Sequence, residues 1–117
     1  QAEEEWGHGM RMYGYLVSRG GRVVLGELET PRSEWASATA VFEEVLEHEE
    51  LVTSLIYAMF ELADEEKDLA SKSMLKWFID EQVEEEEDAT AILTKFKKLG
   101  EIPISLAMLD KELGARA

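Results

Sequence analysis

The sequence predicts an all-α helix bundle with three main helices, a short C-terminal helix and one long crossover connection. Three observations support this fold class. Apolar residues recur at steps of three and four, residues that end helices separate these stretches, and the 117 residues include only two prolines. A chain of this length is typical of one domain, and we expect residues 1–117 to form a single one.

The first helix is expected from the start of the chain to about Arg19, because Gly20-Gly21 is a strong C-terminal signal. The stretch that follows, GGRVVLGELETPRSEW, has no helical period. About 17 extended residues reach roughly 55–60 Å, which exceeds the roughly 42 Å of a helix of about 28 residues. We therefore expect this connection to run the length of the bundle and to leave the first two helices parallel.

The second helix is expected to begin after an N-cap at Ser37 and to continue to about Glu65. The third is expected to begin after an N-cap at Asp68 and to continue to about Lys98, before Gly100. Only a few residues around DEEKD join these helices, which predicts an antiparallel hairpin.

The final helix, PISLAMLDKEL, is short. Pro103 suits its first turn and Gly114 its end.

The third helix carries an apolar seam whose middle is polar. The seam follows alternating steps of three and four residues, typical of a bundle helix. Its members are Leu75, Phe78, Gln82, Glu85, Ala89, Ile92, Phe96 and Leu99. An amide and a carboxylate thus occupy positions that the pattern assigns to the core.

The second helix places a carboxylate in the same way. Its seam comprises Phe42, Val45, Glu49, Val52, Ile56, Met59 and Ala63. A neighbouring stripe is nearly as apolar, and we expect the two stripes to form one wide buried face. That stripe comprises Val41, Val45, His48, Val52, Leu55, Met59 and Leu62. Because a lone buried carboxylate is costly unless it is paired or bound to a metal, Glu49 needs a partner.

The hairpin brings two of these carboxylates to one level. Glu49 and Glu85 lie 18 residues before and after Lys67, which falls in the predicted turn. Each is then about 27 Å along its helix from the turn, so the two should face each other across the core. Two like charges there are unfavourable unless a proton or a cation lies between them, and a dication is the simpler answer.

The first helix adds an imidazole. Glu5 and His8 are spaced i, i+3 and project from one face, which continues through Met12 and Tyr15. For His8 alone, an ordinary partly buried histidine is the better interpretation. Taken with the two carboxylates of the hairpin, the pair favours an iron or manganese site.

Neighbouring polar residues receive plainer interpretations. Glu86 and Glu87 belong to the run VEEEEDA and are interpreted as a solvated acidic face. His48 is interpreted as a packing or hydrogen-bonding residue.

Charge and composition restrict the partners. With 26 acidic and 12 basic residues the formal net charge is −14, which disfavours nucleic acid and favours cations. The sequence has no cysteine, no apolar run long enough for a membrane span and no signal-peptide pattern. We therefore expect a cytoplasmic protein without a membrane partner, whose metal ligands are oxygen and imidazole nitrogen.

Four stretches together resemble the prokaryotic non-haem ferritins. They are QAEEEWGHGMRMYGYLVSRGGRV, EHEELVTSLIY, LKWFIDEQVEEE and LDKELGARA, and they follow in the family's order over nearly the whole chain. The resemblance implies a ferritin-like bundle that stores iron in a hollow cage of twenty-four subunits. It also implies oxidation of Fe(II) by dioxygen or peroxide at a di-iron centre, without haem.

The resemblance also implies individual roles. Glu5 resembles the carboxylate that bridges the two irons, and His8 the imidazole ligand of the first. Glu49 and Glu85 resemble carboxylate ligands of the second iron, and Gln82 the amide beside the centre. The residues that resemble ligands of a third iron are Glu4, Glu81, Glu84 and Glu85.

The chain departs from the ferritin pattern at its start. Ferritins of this kind begin with a full helix that supplies a glutamate for the first iron, followed by the first half of the second helix. We expect this part to be absent from the chain, which leaves Glu5 and His8 for the first iron. Two alternatives stay open. One is a metal-sequestering or structural bundle without redox turnover that completes its core by oligomerisation, and the other is an acidic interaction module without metal.

Overall fold

The structure is a computed structural model that describes residues 2–100 and 102–115. Within these ranges the chain forms four α-helices and no strand, so the predicted all-α class is confirmed. The helices are α1 (Ala2–Ser18), α2 (Ala38–Glu65), α3 (Leu69–Leu99) and α4 (Pro103–Gly114). Each predicted helix is present, and its ends agree with the prediction to within one or two residues.

The described residues divide into two compact units. One contains residues 2–33 and 110–115, and therefore α1 with most of the long connection. The other contains residues 34–100 and 102–109, and therefore the α2–α3 pair. The single domain over residues 1–117 and the parallel course of the first two helices stay predictions.

Helix α1 ends at the glycine pair that the sequence singles out. Gly20 has a φ of 76°, a left-handed conformation that costs glycine little. Its N–H donates to the carbonyl oxygen of Val17 at 3.0 Å, and the N–H of Gly21 donates to that of Leu16 at 2.9 Å. These two bonds form a Schellman motif, which satisfies carbonyls that the helix end would leave unpaired.

The connection between α2 and α3 is equally compact. Lys67 has a φ of 56°, and the N–H of Asp68 donates to the carbonyl oxygen of Ala63 at 2.8 Å. The Asp68 side chain then caps α3 by accepting from the N–H of Ser71 at 3.0 Å. One short segment thus ends α2 and begins α3. Ser37 caps α2 in the same way, by accepting from the N–H of Ala40 at 3.1 Å.

Helices α2 and α3 pack as the predicted antiparallel hairpin. Near the start of α2, Phe42 stacks on Phe96 with ring centroids 4.7 Å apart and an angle of 22° between the planes. Beside this pair, Lys97 Nζ lies 3.2 Å from Glu43 Oε1. At the opposite end of the hairpin, Asp64 pairs with Lys72. The end of α3 therefore meets the start of α2.

The predicted seam of α3 is confirmed at most positions and wrong at Ile92 and Leu99. Leu75, Phe78 and Phe96 are buried as predicted, but Leu99 is 42% exposed and Leu93 is buried where Ile92 was expected. Alternating steps of three and four average 3.5 residues a turn, whereas the helix has 3.6. After five turns from Leu75 the buried face therefore falls on Leu93.

The prediction of a wide buried face on α2 is wrong for the residues that the structure describes. Ile56 and Ala63 are 2% and 7% exposed, but Leu55 and Leu62 of the neighbouring stripe are 55% and 57% exposed. The reason is geometric: α3 covers Glu49, Ile56 and Ala63, whereas the second stripe, with Met59 at 40% exposure, lies beside that contact.

In the described part of the chain, no helix combines the length and apolar character needed to cross a bilayer.

Candidate metal centre

The core of the α2–α3 hairpin contains a carboxylate and an amide in contact. Glu49 is 8% exposed and Gln82 is 6% exposed. Nε2 of Gln82 lies 3.2 Å from both the backbone carbonyl oxygen and the carboxylate Oε2 of Glu49. Two of the polar residues identified in the seams, Glu49 of α2 and Gln82 of α3, are thus in contact.

This contact leaves the charge of Glu49 without compensation from Gln82, because a side-chain amide is neutral. Hydrogen bonds to the amide offset part of the cost of removing a carboxylate from water, but a buried charge is best offset by an opposite charge. The residues that follow one and two turns along this face are apolar: Val52 is half-buried and Ile56 is buried. Such a position favours a cation.

Helix α1 brings a second pair of metal-binding groups together. His8 Nδ1 lies 3.5 Å from Glu5 Oε2, and the two residues are spaced i, i+3. His8 is half-buried and Glu5 is exposed. The imidazole nitrogen and the carboxylate oxygen are close enough to bind one cation together, or to bind two adjacent cations.

The remaining predicted ligands lie on α1 and α3, and they differ in burial. On α3, Glu81 and Glu85 are half-buried and Glu84 is exposed, while Glu4 on α1 is exposed. Their assignment to metal ions, like that of the residues above, stays a prediction.

Two polar residues beside the buried pair, Thr53 and Glu86, are not predicted by the apolar seams. Thr53 Oγ1 donates to Glu86 Oε1 at 2.5 Å and accepts from Gln82 Nε2 at 3.2 Å. The interpretation of Glu86 as part of a solvated face is therefore wrong: the residue is half-buried. Residues four apart share a helix face, so the positions of Glu49 and Gln82 already place Thr53 and Glu86 beside them. That spacing was the available signal.

The donor chemistry fits iron. The candidate ligands are carboxylate oxygens and one imidazole, and the sequence contains no cysteine to supply a thiolate. Oxygen with imidazole ligation suits Fe and Mn better than soft metals such as Cu(I).

Comparison with known proteins points to one family. A family model described as "Ferritin-like domain" matches residues 1–99. The chain is 38% identical over 117 residues to a bacterial non-heme ferritin of Staphylococcus epidermidis, and it spans 70% of that protein. It is also 38% identical over 116 residues to one of Bacteroides fragilis, of which it spans 72%.

Solved structures give the same result. An open-pore ferritin from the hyperthermophilic archaeon Archaeoglobus fulgidus matches with a TM-score of 0.93 and 47% identity. That match covers 95% of this chain and 68% of the archaeal one. A humanized archaeal ferritin matches with a TM-score of 0.92 and 45% identity, over 95% of this chain and 67% of its own. The likeness confirms the predicted fold class and the resemblance drawn from the sequence.

Proposed function

Because the chain belongs to the ferritin-like domain family, we propose that it stores iron by oxidising Fe(II) and holding the ferric product as a mineral. Fe(II) is the substrate, and each ion gives one electron to dioxygen or peroxide. The observation that carries the proposal is the buried carboxylate of Glu49, whose contact in the core is the neutral amide of Gln82.

The proposed centre takes ligands from three helices. Glu5 and His8 of α1 bind the first iron, with the Glu5 carboxylate bridging to the second. Glu49 of α2 and Glu85 of α3 bind the second iron. The 3.5 Å separation of His8 Nδ1 and Glu5 Oε2 supports this assignment, because both atoms are already close enough to approach one ion.

The protein groups have distinct tasks in this scheme. Carboxylates stabilise the additional positive charge that each iron acquires on oxidation, so they favour the ferric product. Imidazole supplies a neutral donor, which limits the charge accumulated at the site. The amide of Gln82 holds one oxygen of Glu49 through its N–H, at 3.2 Å.

A third iron site is part of the proposal. It would use Glu4, Glu81 and Glu84 together with Glu85. Glu4 and Glu84 are exposed, which suits a site that passes ferric ions away from the buried centre. The supporting observation is this gradient of burial, from Glu49 in the core to Glu84 at the surface.

Assembly and location complete the proposal. We infer a cage of twenty-four subunits, on the strength of family membership, and the cytoplasmic location that the composition predicts. Sedimentation velocity tests the assembly. A large hollow particle agrees with it, whereas a small oligomer that binds Fe(II) without oxidising it supports the alternative of a sequestering bundle.

Oxidation kinetics test the proposed activity. Fe(II) mixed with the protein in air should consume oxygen and build a ferric absorbance. The double variant Glu5→Ala/Glu49→Ala should lower the initial rate at least about tenfold, because a ligand from each proposed iron is removed. The matched control is Glu27→Ala/Glu29→Ala, which removes two exposed carboxylates of the long connection. Equal rates in both double variants and the wild type would show that the assigned centre is wrong.

A further inference from the structure

A chain of hydrogen bonds extends from the buried pair towards the surface of the α2–α3 hairpin. Gln82 Nε2 lies 3.2 Å from Glu49 Oε2 and 3.2 Å from Thr53 Oγ1. Thr53 Oγ1 in turn lies 2.5 Å from Glu86 Oε1. Glu49 and Gln82 are buried, whereas Thr53 and Glu86 are half-buried.

The chemistry of the groups fixes the direction of every bond in this chain. The backbone carbonyl oxygen and the ionised carboxylate of Glu49 only accept, so the atom of Gln82 that faces them must be the NH2 group. An ionised Glu86 also only accepts, so the single hydroxyl proton of Thr53 points to it. Thr53 then has only lone pairs left for Gln82, which donates to it.

The opposite orientation of the Gln82 amide is disfavoured by the same groups. Turning it over would place its carbonyl oxygen against two oxygens of Glu49, which have no proton to donate. It would also compete with Glu86 for the proton of Thr53. The Thr53–Glu86 bond, with a charged acceptor and a short distance, is the strong end of the chain. It therefore reinforces the orientation of Gln82 that the two oxygens of Glu49 already favour, and holds the amide in place.

We propose that Thr53 and Glu86 are positioning residues: they hold the Gln82 amide with its N–H on Oε2 of Glu49, and so orient that carboxylate for a metal ion. This inference rests on the proposed function, because it takes Glu49 as a ligand. Groups that hydrogen-bond to a ligand fix its direction, and their loss weakens metal binding even though they never touch the ion.

Three variants separate the hydroxyl from the charge. Thr53→Val keeps the shape of the side chain and removes the hydroxyl, Thr53→Ser restores a hydroxyl, and Glu86→Gln keeps an acceptor without charge. Glu87→Gln is the matched control, because Glu87 is the exposed neighbour of Glu86.

The first measurement observes Gln82 in the metal-free protein. Each glutamine gives one pair of signals in the side-chain NH2 region of a ¹H–¹⁵N correlation spectrum, and the 117 residues include two glutamines and no asparagine. Gln82→Ala identifies its pair, and sedimented samples under magic-angle spinning serve if the particle is large. We expect Thr53→Val to shift the Gln82 pair and speed its hydrogen exchange, while Thr53→Ser and Glu87→Gln leave it in place.

The second measurement titrates the same proteins with Zn(II), which is redox-inert, by calorimetry. Thr53→Val should weaken the tightest site about ten- to a hundredfold, Glu86→Gln by less, and Thr53→Ser should recover most of the loss. Thermal unfolding of the metal-free variants checks that each is folded. Should Thr53→Val fail to fold, Glu86→Gln and Thr53→Ser, each compared with Glu87→Gln, still decide the matter.

The outcomes are distinct. Wild-type Zn(II) affinity in a Thr53→Val protein overturns the positioning role, whatever its spectrum shows. Unchanged Gln82 signals in Thr53→Val overturn the hydrogen-bond chain itself. A wild-type protein that binds neither Zn(II) nor Fe(II) contradicts the proposed function first, and the inference falls with it. Weakened binding together with shifted Gln82 signals, both rescued in Thr53→Ser, supports the inference.

Discussion

At the scale of single residues, the feature that demands an explanation is a carboxylate in an apolar seam. Glu49 is 8% exposed, and Gln82 offers it hydrogen bonds but no charge. A group that stabilised only the fold would be better replaced by an apolar or neutral one of similar size. A position that holds a charge at a cost to stability is typical of function.

Replacing Glu49 with glutamine should separate stability from function. The metal-free Glu49→Gln protein should be at least as stable as the wild type, because the neutral side chain keeps an acceptor for Gln82 and removes a buried charge. At a Zn(II) concentration about a hundred times the dissociation constant, the wild type should gain about 2.7 kcal/mol and the variant much less.

Urea unfolding with and without Zn(II) measures both effects. The control is Glu50→Gln, which changes the exposed neighbouring carboxylate. An equal Zn(II)-dependent gain in Glu49→Gln and the wild type would mean that Glu49 is not a ligand.

The sequence predicted the buried pair but not its support. Glu49 and Gln82 stand out because they interrupt apolar seams, a pattern visible in one dimension. Thr53 and Glu86 interrupt nothing, and their contact depends on how α2 and α3 are rotated against each other. The spacing of apolar residues locates the buried face of a helix only to within about one residue. It therefore does not distinguish Ile92 from Leu93, and it does not predict a hydrogen bond between two helices.

At the scale of elements, the hairpin connection combines a strained residue with good caps. Lys67 adopts a φ of 56° without being glycine, and Asp68 caps α3 through the N–H and hydroxyl of Ser71. Residue type predicts the cap at Asp68, but nothing in the sequence indicates the left-handed turn at Lys67. The left-handed conformation of Lys67 belongs to a Schellman motif, in which the N–H of Asp68 donates to the carbonyl oxygen of Ala63.

Lys67→Gly should stabilise the protein. A left-handed conformation costs a residue with a side chain about 1–2 kcal/mol, and glycine avoids this cost. Glycine also makes the unfolded chain more flexible, which offsets about 0.5–1 kcal/mol of the gain. We expect a net gain of about 0.5–1 kcal/mol in the free energy of unfolding. Lys67→Ala is the control, since it removes the charge and keeps the strain. Equal stability of the glycine and alanine variants would contradict this explanation.

The aromatic pair should be the main contact at the far end of the hairpin. Phe96 is 4% exposed, so Phe96→Ala should cost about 3–5 kcal/mol. A double-mutant cycle with Phe42→Ala should give a coupling of about 0.5–1.5 kcal/mol, because the rings stack at 4.7 Å. Additive losses measured by urea unfolding would show that the two rings do not interact energetically.

At the scale of the whole molecule, the charge favours the entry of cations. A formal net charge of −14 on 117 residues creates a negative potential that concentrates divalent ions near the surface. Exposed carboxylates such as Glu4 and Glu84 contribute to it. We therefore expect the long-range field to attract Fe(II) and the proposed ligands to bind it.

Ionic strength should separate these two steps. Raising the salt from about 0.01 M to about 0.15 M shortens the screening length from about 30 Å to about 8 Å. We expect the initial rate of Fe(II) oxidation at low iron to fall several-fold, while the affinity for the first Zn(II) changes less. Sucrose at matched osmolality is the control. A salt-independent rate would show that the field does not guide the iron.

The most direct test of the central claim is an iron-edge anomalous difference map from crystals soaked in Fe(II) without oxygen. The account predicts peaks bonded to the carboxylates of Glu5, Glu49 and Glu85 and to the imidazole of His8. Peaks confined to exposed carboxylates, with none beside Glu49 in the core of the hairpin, would contradict it.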